Sequence, residues 1–89
     1  PEVAEFAYHQ GLVAAAQGRL TESIAAYEEA VRLAPDFFAA RLNLGIALGQ
    51  SGALERSVTE LQALTMAHPE AVEAFANLGT ALLSARRPD

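Results

Sequence analysis

The side chains of this chain that could do chemistry are few, and only three of them follow a regular spacing. His9, Asn43 and Asn77 are equally spaced along a sequence of 89 residues. An imidazole can donate or accept a hydrogen bond, and an asparagine amide offers both donors and an acceptor. An amide of this kind can pair with both the N–H and the C=O of a peptide backbone. The spacing therefore predicts a row of hydrogen-bonding groups.

Metal-binding and catalytic arrangements are not indicated. His9 and His68 are the only imidazoles, they lie far apart in the sequence, and cysteine is absent. The pair Glu5 and His9 gives two ligands at most, too few for a zinc site. Glu28 and Glu29 are adjacent on a helix and point in different directions, which suits a solvated surface better than an acid–base pair. Because no nucleophile elbow or phosphate loop is present either, we expect no catalysis, metal or cofactor.

Composition limits the partners. Eleven acidic residues against six arginines give a net charge of −5, which argues against nucleic acid and anionic membrane surfaces. No uncharged apolar run approaches the roughly 18 residues of a membrane span, so membrane insertion is not expected. The absence of cysteine leaves the redox compartment open, with a cytoplasmic location favoured.

A single repeat period of 34 residues organises the whole chain. It repeats glycine in two phases and proline in a third, at Gly11, Gly45 and Gly79, at Gly18 and Gly52, and at Pro35 and Pro69. Apolar residues recur at helical spacing, and breakers divide the chain into five helices near 3–17, 21–34, 37–51, 54–67 and 70–86. A fixed period of this length predicts stacked units, none of which buries its apolar face alone.

Specific residues are expected to end and begin these helices. Gly18 and Gly52 follow helices, where a left-handed conformation is common. Thr21 is a candidate N-cap of the second helix and Asp36 of the third. The prolines close the preceding helices, because the residue before proline avoids the α region.

Three glycines, Gly11, Gly45 and Gly79, fall inside helices. A helical glycine is about 1 kcal/mol less favourable than alanine. Repetition in one phase implies a shared compensation, and we expect it to be the close approach of the paired helix.

The pattern resembles the tetratricopeptide repeat, a helix–turn–helix unit of about 34 residues with a bulky-x-x-Leu-Gly-x-x-Tyr start, a later Ala-x-x-x-Phe and a final proline. The second unit carries it as Arg41-x-x-Leu44-Gly45-x-x-Leu48, Ser57-x-x-x-Leu61 and Pro69. The resemblance implies an all-α, right-handed α-solenoid of antiparallel helix pairs. It predicts one domain over residues 1–89, with repeats at 4–37 and 38–71 and a partial repeat at 72–89, as a fragment of a longer protein.

In this family the first helix of each pair lines a concave groove. The groove positions that the resemblance gives here are Tyr8, His9, Leu12, Leu42, Asn43, Ile46, Asn77 and Thr80. The two asparagines and His9 would hold the backbone of an extended peptide, while apolar members would hold its side chains. Neighbouring helices lie ~8–10 Å apart, which matches about three residues of extended chain.

Other interpretations of the groove remain open. The asparagines could bond to each other or to water on a solvated face. Some chaperone-docking members of the family bind a C-terminal carboxylate in this groove, but Glu5 and Glu73 would repel one here. That subtype is not expected.

The last helix carries an apolar stripe at Phe75, Leu78 and Leu82, on one helical face. Its counterparts in the second unit, Leu44 and Leu48, are expected to pack on Leu61 in the second helix of their own unit. The sequence ends before a sixth helix could form. A further helix of the parent protein, a rotation of the last helix into a cap, or another chain could cover the stripe.

The resemblance implies a protein-interaction scaffold that binds a peptide segment of a partner protein. Two alternatives remain open. The chain could self-associate into a homo-oligomer through its last helix. It could also be the repeat region of a larger enzyme, because its Asn-Leu-Gly units resemble those that precede the catalytic domain of glycosyltransferases bearing these repeats.

Overall fold

The computed structural model describes residues 2–86, which form five α-helices and contain no strand. The helices are α1 (Glu2–Ala16), α2 (Leu20–Leu33), α3 (Phe38–Gln50), α4 (Leu54–Ala67) and α5 (Val72–Arg86). Each bound lies within two residues of its predicted position, so the prediction of five helices is confirmed. The outermost residues of the predicted domain, 1 and 87–89, lie outside the described part of the chain.

Consecutive helices pack against each other along the whole stack. Connections of three or four residues join them, and connections this short turn each helix back along its neighbour. The helix α3 also contacts α5, so the first helices of neighbouring units lie side by side. The result is an all-α solenoid of helix pairs that measures 40 × 29 × 17 Å.

The turns inside the two complete pairs are the same turn, repeated. Gly18 has a φ of 76° and Gly52 a φ of 93°, and they are the only residues of positive φ in the described part of the chain. In each turn the next backbone N–H donates to a carbonyl five residues earlier, Arg19 to Ala14 at 2.8 Å and Ala53 to Leu48 at 2.9 Å. The predicted left-handed glycines are confirmed.

The two predicted caps are wrong. The helix α2 begins at Leu20, with Arg19 in the capping position, so Thr21 lies inside its first turn. The helix α3 begins at Phe38 after Phe37, and neither start has a side-chain capping hydrogen bond. For α2 the cause is the glycine turn, because the hydrogen bond of Arg19 to α1 fixes the chain before Thr21 can cap it. Asp36 lies one residue too early to serve.

The core is a row of three small clusters, each formed by residues of two or three helices. Alanines dominate the first, Tyr27 and leucines the second, and leucines the third, with buried members Ala7, Ala30 and Ala40, then Tyr27, Leu44, Ala47 and Leu48, then Leu42, Leu61, Leu64, Ala74 and Ala81. A helix of this length is marginal in water by itself. Burial in these clusters therefore holds the stack together.

The packing of α3 corrects one expectation. Leu44 and Leu48 are buried with Tyr27 of α2 and not with Leu61 of α4. Leu61 packs instead with Leu42 and with α5. The helix α3 has neighbours on several sides, so apolar spacing alone does not tell which neighbour each residue meets.

The interior glycines allow close approach in both complete pairs. A Cβ at Gly11 would overlap the ring of Tyr27, and a Cβ at Gly45 would lie 2.7 Å from Leu61 Cδ2. The expected compensation is confirmed at these two positions. At Gly79, by contrast, no other helix of the described residues comes within 4 Å of an added Cβ.

Candidate peptide-binding groove

A cleft of about 280 Å³ lies between α3 and α5. Three residues predicted for the groove, Ile46, Asn77 and Thr80, line it together. The buried side chain of Leu61 belongs to α4 and closes the cleft from behind. The structure therefore brings one part of the predicted groove into a single concave site.

Asn43 connects the first two units through a hydrogen bond to Tyr8. Its Nδ2 donates to Tyr8 Oη at 3.2 Å and to the carbonyl oxygen of Ala39 at 2.9 Å. The two bonds use both amide hydrogens. No donor among residues 2–86 reaches Asn43 Oδ1, and the Tyr8 hydroxyl keeps its own proton. One free acceptor and one free donor thus lie next to each other.

Each of the three regularly spaced residues makes the same kind of local hydrogen bond. His9 Nδ1 lies 2.8 Å from the carbonyl oxygen of Glu5, and Asn77 Nδ2 donates to that of Glu73 at 2.8 Å. Asn43 makes the equivalent bond, so each side chain bonds to the carbonyl four residues earlier. No hydrogen bond joins the side chains of His9, Asn43 and Asn77 to one another within residues 2–86, so the asparagines do not bond to each other. Each side chain is oriented by its own helix.

The orientation leaves acceptors free. With its proton on Nδ1 donated to Glu5, the neutral imidazole of His9 presents Nε2 as an acceptor. Asn77 keeps Oδ1 and one amide hydrogen, because a single bond to its own helix uses the other. The row of His9, Asn43 and Asn77 can therefore accept hydrogen bonds from several N–H groups, and Asn77 can also donate one.

Aromatic neighbours surround the ring of Tyr8 and hold it in place. Its ring centroid lies 5.0 Å from that of Phe37, 5.6 Å from that of His9 and 6.0 Å from that of Tyr27. Burial, with the neighbouring phenol of Tyr8 as a second cause, raises the pKa of Tyr27 above its ordinary value. Tyr27 therefore stays neutral, and the ring of Tyr8 lies among three aromatic neighbours.

Five of the predicted groove residues do not line the cleft between α3 and α5, namely Tyr8, His9, Leu12, Leu42 and Asn43. Leu42 is 8% exposed and belongs to the core, because α5 packs over it through Ala74. Leu12 is exposed on α1, outside this cleft. The prediction that Leu42 offers a side-chain pocket is wrong.

Sequence reasoning missed the part of the cleft that Gly49 and α4 provide. Gly49 lines the cleft, and a Cβ there would lie 3.2 Å from Ser57 Oγ. Leu54 lines the same end from α4. The available signal was that Gly49 is an interior glycine outside the repeated glycine phases.

The predicted stripe on the last helix divides between two faces. Leu78 packs against the cluster of Leu61 and Leu64 on α4, so it is not open. Phe75 and Leu82 are exposed, as are Val72 and Leu83. The outer face of α5 is therefore formed by Val72, Phe75, Gly79, Leu82 and Leu83. The stripe divides between two faces because Leu78 packs on the preceding helix, α4, whereas Gly79 beside it has no helix packed against it among the described residues.

Two further features of the described residues concern metals and membranes. Within residues 2–86, no three His, Asp or Glu side chains come together as a metal site would require. No helix in that range combines the length and apolarity needed to cross a membrane.

Two family models match the chain. One, described as TPR repeat, matches residues 11–52, and another, described as Tetratricopeptide repeat, matches residues 42–89. The second covers more than half of the 89 residues, and together the matches include both complete helix pairs from Gly11 onward and α5. None of the curated proteins compared matches the chain significantly.

Proposed function

Because this chain belongs to the tetratricopeptide repeat family, whose repeats are generally protein–protein interaction modules, we propose that it binds an extended peptide segment of a partner protein along its concave face. Repeats of this family are typically non-catalytic scaffolds. The proposal adds the mode of binding and the residues responsible, and it includes no turnover by the chain itself.

The Asn43–Tyr8 pair is the observation that carries the proposal. A peptide unit needs an acceptor for its N–H and a donor for its C=O. The free Oδ1 of Asn43 and the free hydroxyl proton of Tyr8 supply these two functions side by side. Both groups are held by packing and by intramolecular bonds, so little side-chain entropy remains to be lost on binding.

The cleft between α3 and α5 supports the other half of the proposal. Ile46 and Leu61 give it an apolar part, and Asn77 and Thr80 a polar part. Thr80 Oγ1 donates to the carbonyl of Ala76 at 3.2 Å and keeps its acceptor capacity. A peptide side chain could enter this cleft while Asn43 and Asn77 hold the backbone on either side.

Charge selects among peptides. Glu5 and Glu73 flank the row, and the chain as a whole has a net charge of −5. Neutral or basic segments are therefore favoured over acidic segments and over a terminal carboxylate.

The test begins with a random library of peptides about twelve residues long, roughly twice the length that spans three neighbouring helices, from which binders of the chain are selected. Affinity is then measured by calorimetry for the wild type and for Asn43→Ala with Asn77→Ala. Loss of two hydrogen bonds should weaken binding by about tenfold or more. Replacement of the exposed amide Gln62 on α4 by alanine is the matched control and should change nothing.

A second measurement identifies the backbone as the target. N-methylation of the peptide unit opposite Asn43 removes its N–H and should cost the wild type affinity but cost Asn43→Ala little more. Selection of no peptide at all, or equal affinity of the double variant and the wild type, would overturn the proposed function.

A further inference from the structure

The outer face of α5 is an apolar surface with a notch at its centre. Val72 is 79% exposed, Phe75 48% and Leu83 69%. Gly79 lies in the middle of the helix Val72–Arg86, and the space above it is empty of described residues. The notch and the apolar side chains lie on one side of the helix, because they follow helical spacing.

The same glycine phase shows elsewhere in the molecule what fills such a notch. The ring of Tyr27 occupies the notch at Gly11, and the side chain of Leu61 occupies the notch at Gly45. In both cases the bulky residue comes from a neighbouring helix joined by a short turn. A large apolar side chain on an antiparallel helix is therefore the complement of this surface.

We propose that the occupant is α5 of a second copy of this chain, antiparallel, with Phe75 of each copy seated against Gly79 of the other. Phe75 and Gly79 lie one helical turn apart on the same face, so one two-fold axis forms both contacts at once. The same register brings Val72 opposite Leu82, since both pairs of residue numbers have the same sum. The interface is isologous and closes at a dimer.

The charges at the two ends of α5 favour an antiparallel pair of helices over a parallel one. Arg86 is in the last turn of α5 and, by helical spacing, on the side that carries Phe75 and Gly79. In this register it lies opposite His68 of the second copy, two residues from Glu70. The Glu70 side chain is 76% exposed and lies 3.6 Å from Nδ1 of His68 in its own chain, so Arg86 of the second copy would approach this pair. In a parallel pair, Arg86 would instead meet Arg86 of the second copy, and like charges repel.

The exposed apolar stripe on α1 is a weaker alternative. Val3, Phe6 and Val13 are exposed there, beside a cleft of about 580 Å³. The glycine of α1, Gly11, is already covered by Tyr27, so this stripe has no notch for a ring.

The proposed dimer face is separate from the concave row. On α5 the paired face leaves Asn77 free, because Asn77 lies on the far side of the helix. The dimer is therefore independent of peptide binding, and a failure of one proposal leaves the other standing.

The first test measures the mass of the chain by sedimentation equilibrium over a concentration series. The wild type should change from monomer to dimer as concentration rises, and Phe75→Ala should raise the dissociation constant at least tenfold. Gly79→Ala should do the same by filling the notch, although it touches nothing in the monomer. Phe6→Ala, which removes an exposed aromatic residue on α1, is the matched control. A wild type that stays monomeric, or a dimer lost in Phe6→Ala alone, overturns the proposal.

The second test uses the absence of cysteine. Two cysteines at positions 72 and 82 of one helix are about 15 Å apart and cannot bridge each other, since a disulfide needs Cα atoms within about 7 Å. The variant Val72→Cys with Leu82→Cys should therefore form a covalent dimer on mild oxidation, and neither single variant should. Efficient cross-linking of Val72→Cys alone would indicate parallel helices and contradict the proposal.

Discussion

Leu44 and Gly45 are adjacent in α3 and face different units. Leu44 packs against Tyr27 of the preceding helix, whereas Gly45 lies against Leu61 of the following one. The large side chain of Leu44 thus packs against the helix before α3, and the missing side chain of Gly45 lets the helix after α3 approach closely. The same pair recurs as Leu78 and Gly79, where only the leucine has its neighbour.

This relationship predicts opposite effects for the same substitution at two glycines. At Gly45 an added methyl would lie 2.7 Å from Leu61 Cδ2, and overpacking of this kind is unfavourable by about 1–3 kcal/mol. At Gly79 nothing opposes the methyl, so the helix propensity of alanine should stabilise the monomer by up to about 1 kcal/mol. Urea unfolding followed by circular dichroism, at a concentration where the chain is monomeric, measures both. Equal signs for Gly45→Ala and Gly79→Ala would contradict this account.

A second prediction concerns two buried serines that occupy equivalent positions. Ser57 Oγ donates to the carbonyl oxygen of Gly45 at 2.7 Å and so joins α4 to α3. Ser23 Oγ donates instead to Leu20, within its own helix, at 2.9 Å. Ser57→Ala should therefore lower the free energy of unfolding by about 0.5–1.5 kcal/mol. Ser23→Ala loses only a local bond and gains helix propensity, so it should be close to neutral.

The two serine variants serve as controls for each other, because both positions are buried and lie one repeat apart. Thermal or urea unfolding under identical conditions is the measurement. A larger loss in Ser23→Ala than in Ser57→Ala would show that the bond between helices is not the stabilising one.

The fold could be predicted from the sequence because its main signals are local. The repeat period, the helical spacing of apolar residues and the left-handed Gly18 and Gly52 each follow from a few neighbouring positions. The packing partners of individual side chains were harder to predict. Whether Leu42 or Leu44 faces a groove or a core depends on which helices pack beside α3, and spacing does not contain that information.

For Asn43 and Asn77 the sequence indicated the helix and the repeat position but not the side-chain bonds. The repeat spacing predicted that Asn43 and Asn77 lie in one row, and of these two Asn77 lines the cleft between α3 and α5. The bonds of these amides to carbonyls of their own helices were not foreseen, because asparagine has several local partners within reach. Those bonds decide which atoms remain free for a peptide.

A third prediction concerns the pKa of Glu29. The side-chain hydrogen bond from Arg32, Nε to Oε1 at 3.0 Å, lowers the pKa of Glu29 below its ordinary value, with the charge of Arg32 as a further cause. A lowered folded-state pKa stabilises the fold above the unfolded pKa, and this contribution is lost as pH falls through the folded value. Both side chains are exposed, so the effect on stability should be small.

The measurement for Glu29 is an NMR titration of the carboxyl carbons in the wild type and in Arg32→Gln. Removal of the guanidinium should return the pKa of Glu29 towards its ordinary value. Arg19→Gln is a suitable control, because Arg19 lies beside Glu22 and not beside Glu29. An unchanged pKa of Glu29 in Arg32→Gln would show that the hydrogen bond does not persist in solution.

A fourth prediction isolates the bond between Asn43 and Tyr8, which holds the proposed donor and acceptor together. Tyr8→Phe keeps the ring and its packing against Phe37 but removes the oxygen that accepts from Asn43 Nδ2. Asn43→Ala removes the donor and also the bond to Ala39. A double-mutant cycle of unfolding free energies should give a coupling of about 0.5–1.5 kcal/mol.

The cycle has a matched comparison one unit further along the chain. Asn77 bonds to its own helix through Glu73 and makes no side-chain bond to α3 within residues 2–86, so Tyr8→Phe with Asn77→Ala should show additive effects. Coupling near zero for Tyr8 and Asn43 would mean that the bond between the first two units is not formed in solution. In that case the Asn43 hydrogen that is not bonded to Ala39 could donate to a bound peptide, and the preference for peptide N–H groups at this position would be lost.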